Sequence, residues 1–323
     1  MFQPTHIAYR IQTSVKKALP KGLKTAWWLI KITIPVSFVV MLLNYSGILY
    51  EIGKFTSPLF NLFGLPGIAA VVLITSIFTN VYSAVAILAL LHVPEREGII
   101  MAVMCLISHN FPIETAVLKK TGSSATGMIL LRIAGSFVAA WLLNLTLPGA
   151  NAHSIEMTSL PHQTLTLELT NWAVSTGKIV IKILILVCSL LILQQLLEEF
   201  DLIKYIVKVF SPLMKIMGLP KNTTISWVVG YVIGLAYGSA IMIDQCEKQN
   251  MTKEEANLLN HHLAISHSQL EDPLLFLTLN YPILWLIWPR VLIAIVVVWI
   301  YRGYKRLYRN IPSLEMNTER IKN

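Results

Sequence analysis

Charge is what this sequence has least of. Asp, Glu, Lys and Arg make up 13% of its 323 residues, about half of the roughly 25% usual in soluble chains. Residues 68–94, 133–155 and 222–243 contain none of the four. Each window is long enough for a helix to cross the roughly 30 Å hydrocarbon core of a bilayer. Apolar residues reach 55% and mean hydropathy is +0.63. A soluble enzyme, a secreted disulfide scaffold and a disordered chain are excluded. The three cysteines (Cys105, Cys188, Cys246) lie in or beside apolar runs and give no disulfide framework. No A-x-A-like site follows the first apolar run, which begins near Trp27, so no signal peptide is expected. No CxxC or HExxH spacing occurs, which argues against a structural site with four fixed metal ligands.

The charges that are present are unevenly placed. Net charge is +9, yet the basic residues sit in loops and tails, so nucleic acid is not an expected partner. Residues 1–26 carry Arg10, Lys16, Lys17, Lys21 and Lys24, and the tail 302–323 carries six more basic residues. Residues 133–177 contain no Lys or Arg. The excess of basic residues on cytoplasmic segments predicts that both termini are cytoplasmic and that the loop 148–177 is external. The expected location is a bacterial inner (cytoplasmic) membrane. Ile7, Ile11, Val15 and Ala18 recur at helical spacing beside basic residues, which predicts an amphipathic helix on the inner surface.

The chain is one unit written twice. SPLFNLFGLP at 57–66 returns as SPLMKIMGLP at 211–220, an offset of 154, and ISHNFPIE at 107–114 returns as ISHSQLED at 265–272, an offset of 158. Arg132 and Arg290 each lie 23 residues beyond their own histidine, His109 or His267. Repeats at 27–147 and 178–301 follow, each with a long helix, a short amphipathic segment, a second long helix (68–91; 222–243), an I-S-H segment and a closing helix. To start inside and end outside, the first repeat must cross an odd number of times, so one of four long segments fails to cross. The I-S-H segment is the choice, because Ser108–Pro112 is polar and ends in a helix breaker. The predicted fold is all-α integral membrane, with two inverted-topology repeats. Each has about three transmembrane helices, a re-entrant or broken segment and a short amphipathic helix. The loop from Asp244 to Glu255 is then external. Inverted repeats whose broken segments meet near the midplane are a transporter design.

The SPL-x4-GLP segment, the small-residue-rich helix after it and the duplicated layout resemble the Gate, or nucleoside-recognition, family. That family includes spore-maturation membrane proteins and is related to the gate regions of FeoB-type ferrous-iron transporters. Its Ser-x-x-Glu-Thr-like pattern is matched by Glu114-Thr115, while Glu271-Asp272-Pro273 departs from it. The resemblance covers roughly 30–145 and 178–300 and implies nucleosides, although no residue demands them. No G-x4-GK[ST] is present, so a FeoB-like energy source is missing from the chain.

The candidate site is a doubled set: His109, Glu114 and Arg132, matched by His267, Asp272 and Arg290, with Glu271 adjacent. Ionisable groups inside membrane segments are costly and face a cavity or one another. Two readings stand together: a polar centre on the pseudo-twofold axis, or the buried links Arg132–Glu114 and Arg290–Asp272. Helical spacing puts Met101, Cys105 and His109 on one face, and sulfur with imidazole suits Fe(II), Cu(I) or Zn(II). The tentative metal set is therefore Cys105, Met101, His109 and His267. Such a metal should bind more weakly below about pH 6, because protonated histidine cannot ligate. Asn80 and Ser83 are expected to line the solute path, while the Gly230, Gly234, Gly238 series predicts close packing on one helix face.

The leading function is a carrier for a small solute, first a divalent transition metal such as Fe(II), second a nucleoside. The alternatives are an intramembrane metal enzyme using His261, His262, His267, Glu271 and Asp272, which lacks a nucleophile in a recognised pattern, and a non-transporting scaffold. No enzymatic activity is expected. No resident cofactor is expected; a metal would be cargo. Expected partners are the lipid bilayer, the solute and, as an open option, further copies of the chain.

Overall fold

A computed structural model describes residues 4–91, 93–149, 164–232 and 234–309. Residues 150–163 of the 148–177 loop, the end of the 302–323 tail, and His92, His153 and His162 lie outside them. The described residues form helices and no strands. The first half holds α1 (Pro4–Tyr45), α2 (Ile48–Phe60), α3 (Ala69–Phe78), α4 (Val81–Leu91), α5 (Glu95–Ile107), α6 (Phe111–Lys120) and α7 (Ala125–Thr146). The second holds α8 (Leu165–Glu199), α9 (Leu202–Phe210), α10 (Thr224–Val232), α11 (Leu235–Glu247), α12 (Lys253–Ile265), α13 (Glu271–Phe276) and α14 (Ile283–Arg309).

The repeated SPL-x4-GLP motif is a helix stop. Gly64 and Gly218 adopt φ 67° and 72°, where glycine carries no steric penalty. Leu65 N–H then reaches Phe60 O at 3.1 Å, and Leu219 N–H reaches Met214 O at 2.8 Å. Both are the six-to-one bond of a left-handed cap, and the following proline prevents the helix from resuming.

Among the described residues, four helices are long and apolar enough to cross a membrane alone: Ile7–Tyr45, Ala125–Thr146, Leu165–Glu199 and Ile283–Leu307. The α5–α6 pair, bent by 41°, makes a fifth candidate. Hydrogen bonds fix how the segments run. Arg96, at the start of α5, donates to Asn144 O at the end of α7, 2.8 Å away. At the other end, Ser123 before α7 donates to Asn257 Oδ1 of α12 at 2.6 Å. The α5–α6 segment therefore runs antiparallel to α7 along its whole length. Likewise Glu254 in α12 pairs with Lys305 late in α14 at 2.8 Å, while Leu277–Leu279 after α13 lies just before the start of α14.

Three expectations are corrected here. The expected second long helix is broken in both repeats, at Thr79–Asn80 and before Gly234. A Cβ on Gly238 would lie 2.5 Å from Gly230 Cα, whereas eight residues of straight helix span about 12 Å. Gly230 and Gly238 therefore pack across a hairpin, with Gly234 at φ 136° in the turn, and do not share one continuous helix face. The ends of the α10–α11 hairpin are tied by Asn222 Nδ2 to Asn250 O at 3.0 Å. In the first repeat α3 and α4 also pack on each other. Each second apolar segment is thus a hairpin of two short helices, while the first repeat's I-S-H segment is a bent pair that makes one broken span or a re-entrant segment. The loop 244–256 does change sides: through Glu254–Lys305 it shares the face of the carboxy-terminal end. α1 runs unbroken from Pro4 through residue 26. Its length is about 63 Å at 1.5 Å per residue, and α8 accompanies it, from Arg10–Glu199 (2.9 Å) to Trp172 donating to Ser37 (3.2 Å).

One face of the bundle therefore gathers Arg10, Lys119, Lys120, Lys204, Lys215, Lys221, Arg302 and Lys305, with Arg302 bonded to Gly218 O at 2.7 Å. The opposite face gathers Glu51, Lys54, Glu95 and Arg96. We refer to the first as the basic face.

Candidate functional site

Two chain breaks build the site. α5 stops at Ile107, Asn110 turns left-handed at φ 51°, and α6 restarts with Pro112 in its first turn. In the second repeat α12 stops at Ile265, Ser268 adopts φ 47°, and α13 starts at Glu271. A stopped helix leaves carbonyls without partners, which is costly away from water. The two buried arginines satisfy them. Arg132 donates from Nε to Ile107 O and from Nη2 to His109 O, both at 2.7 Å. Arg290 donates to Ile265 O at 3.3 Å and to His267 O at 2.7 Å. The constant 23-residue spacing has this cause. Each break is also tied to its hairpin: Asn110 N–H donates to Ser76 O (2.9 Å), and Ser268 N–H donates to Gly230 O (3.1 Å). These pairs stand at the two sequence offsets of the duplication.

The breaks bring the histidines together, with ring centroids 5.2 Å apart. His109 Nδ1 lies 3.0 Å from Cys105 O, and His267 Nδ1 lies 2.6 Å from Leu263 O. A carbonyl only accepts, so each Nδ1 carries the proton and each Nε2 is left to face inward. His109 Nε2 is 3.0 Å from Glu114 Oε1 and 3.6 Å from Asp272 Oδ2, while His267 Nε2 is 3.5 Å from Glu114 Oε2. Arg132 Nη2 approaches Glu114 Oε2 at 2.7 Å. All these side chains are buried. Among the described residues, His267 Nε2 and Asp272 Oδ2 have no hydrogen-bond partner. Neutral imidazole and carboxylate both present lone pairs here, so acceptor meets acceptor unless a cation, a proton or a metal ion, lies between. One ligand atom each from His109, Glu114 and His267 fall within 4.8 Å of one another, a spread that ligand bonds of about 2 Å can span.

The other expected residues are placed differently. Cys105 Sγ points to Val72 O at 3.9 Å, and Met101 is buried in the apolar core. Neither joins the three-residue group, because the helix ends before His109 and the i, i+4, i+8 rule stops with it. The Arg132–Glu114 link forms, but among the described residues Arg290 has no carboxylate within 4 Å; Asp272 turns to His109 instead. Asn80 Oδ1 accepts from Ser83 N–H at 3.0 Å, so both residues serve the start of α4. His261 stacks on Tyr301 at 3.9 Å and His262 accepts from Trp227 Nε1 at 3.3 Å, which keeps both out of the centre. Tyr82 was not expected. Its hydroxyl donates to Glu271 Oε1 at 3.0 Å. Its only sequence signal is that it is the one tyrosine in the charge-free run 68–94.

Fold and site together define a polytopic all-α membrane protein with a buried His/carboxylate/Arg centre. The Gate family, described as "Nucleoside recognition", matches residues 26–124 and 180–263, more than half of the chain. The chain belongs to the Gate family. It is also 30% identical over 282 residues to the "Uncharacterized membrane protein YvoD" of Bacillus subtilis (strain 168), across 86% of this chain and 89% of that relative. No solved structure matches it.

Proposed function

We propose that the protein is a carrier for a small cation, first a divalent transition metal such as Fe(II) or Zn(II), bound between His109, Glu114 and His267. The observation behind this reading is the convergence of two Nε2 lone pairs on one carboxylate inside 4.8 Å. Two imidazoles and a carboxylate suit first-row divalent ions. The Nδ1 bonds to Cys105 O and Leu263 O fix the tautomer that leaves Nε2 free to ligate. The two repeats run with opposite polarity relative to the membrane, the basic face lies in the cytoplasm, and the membrane is the bacterial inner membrane. In this arrangement a cation held where both broken segments meet is reached from alternate sides.

The family description favours a nucleoside as the second reading. A centre whose ligand atoms lie within 4.8 Å suits one ion better than a base with its ribose. The test is uptake into proteoliposomes from a panel of Fe(II), Zn(II), Mn(II) and nucleosides. Chelator-sensitive uptake of a metal, lost in His109→Ala, is expected. Uptake of a nucleoside that chelators leave untouched would overturn the cation reading.

A further inference from the structure

Glu271 lies one residue from the centre and is not among the residues that converge on it. It lines a cleft with Thr25 of α1, Val187, Leu191 and Gln194 of α8, and Val232 at the tip of the α10–α11 hairpin. Gln194 donates to Glu198 at 3.4 Å, and the next residue, Glu199, has as its partner Arg10, which marks the basic face. A second, more apolar cleft is lined by Tyr82, Ile183, Lys182 and Thr278. Its Lys182–Thr278 contact (2.8 Å) lies toward the opposite face. Glu271 lines the first cleft and Tyr82 the second, and their hydrogen bond (3.0 Å) joins the two linings. Next to Glu271, Asp272 holds a buried, unpartnered Oδ2 at 3.6 Å from His109 Nε2.

We propose that Glu271, oriented by Tyr82, is a transit station through which the cation passes between the basic-face cleft and the buried centre. This rests on the cation reading given above. A cation leaving water needs oxygen partners along its way, because an uncompensated charge among apolar side chains is very costly. The cleft offers them at Gln194, Thr25 and Glu271, and the next residue, Asp272, holds its orphaned oxygen 3.6 Å from His109 Nε2. Tyr82 is a positioning residue: its hydroxyl donates to one Glu271 oxygen and leaves the other for the cation. The first repeat has Ile113 where Glu271 stands and the second has Ala236 where Tyr82 stands, so the station has no twin.

The test uses the full-length protein with Zn(II) as probe. Equilibrium binding is measured by calorimetry and uptake in proteoliposomes. Loss of rate without loss of affinity marks a transit role, so Glu271→Gln is expected to keep Kd within about threefold and to lower uptake about tenfold. Glu271→Asp should recover part of the rate, and Tyr82→Phe should slow uptake with Kd unchanged. Wild-type uptake in Glu271→Gln overturns the station, as does a loss of binding equal to that of His109→Ala, which would put Glu271 in the centre itself. If Glu271→Gln does not fold, Tyr82→Phe decides, and unchanged uptake refutes the proposal. Binding that survives in both His109→Ala and His267→Ala overturns the centre and the station with it. Binding lost in those two variants beside normal uptake in Glu271→Gln overturns the station alone.

Discussion

Replacing Arg132 by alanine removes two roles at once, and the duplication supplies a control for each. Arg132 is wholly buried. It caps the end of α5 through Ile107 O and His109 O and faces Glu114 at 2.7 Å. Arg290 makes the matching contacts to Ile265 O and His267 O and, among the described residues, has no carboxylate within 4 Å. Arg290→Ala therefore reports the cap alone, about 1–3 kcal/mol for buried carbonyls left unpaired. Arg132→Ala adds a buried carboxylate without its cation, about 3–5 kcal/mol for such broken pairs. The lower end applies, because His109 remains 3.0 Å from Glu114. Arg132→Ala should thus be the less stable variant by about 3 kcal/mol. The double variant Arg132→Ala with Glu114→Gln should return to the level of Arg290→Ala, since the carbonyls stay orphaned while the charge is gone. The assay is the fraction of monodisperse protein after graded heating in detergent. Equal losses for the two arginines would refute the reasoning, as would strict additivity in the double variant, which marks sites that do not interact.

Most of the fold could be read from the sequence because it is written twice. The offsets of 154 and 158 reappear as the contacts Asn110–Ser76 and Ser268–Gly230. The meeting of His109 and His267 was legible for the same reason, since equivalent segments of paired repeats approach a common axis. Where the chain reverses was not legible. Residues 68–91 are uniformly apolar, and apolarity alone does not distinguish one crossing from a hairpin of α3 and α4. Gly230, Gly234 and Gly238 carried the signal in the second repeat, yet small residues every fourth position suit both helix packing and a tight hairpin. Cys105 and Met101 stand apart from the His109–Glu114–His267 group for a local reason. Helical spacing was extended past Ile107, where the helix ends. Tyr82–Glu271 lacks a counterpart in the other repeat, so the symmetry that revealed the rest was silent there.

Three further outcomes are expected. His109→Ala and His267→Ala should each abolish Zn(II) binding and uptake while elution profiles stay normal, because each removes one of three converging ligands; retained binding in both refutes the centre. Gly238→Ala should lower the thermal midpoint, since its methyl would meet backbone atoms of Gly230, whereas Gly177→Ala, with nothing within 4 Å, should gain up to about 1 kcal/mol from helix propensity. The last concerns sidedness. The 244–256 loop is tied to the carboxy-terminal end by Glu254–Lys305 at 2.8 Å and to the start of the hairpin by Asn222–Asn250 at 3.0 Å. A membrane cannot separate groups in direct contact, so Lys248→Cys and Lys305→Cys should be modified by an impermeant thiol reagent from the same side. Lys54→Cys, on the α2 segment after the first traverse, should react only from the other side. With Cys246 replaced by serine, intact cells should show labelling at position 54, and positions 248 and 305 should need permeabilisation. Labelling of 248 together with 54 would mean that α10 and α11 cross the bilayer as one span, and the hairpin reading would fall.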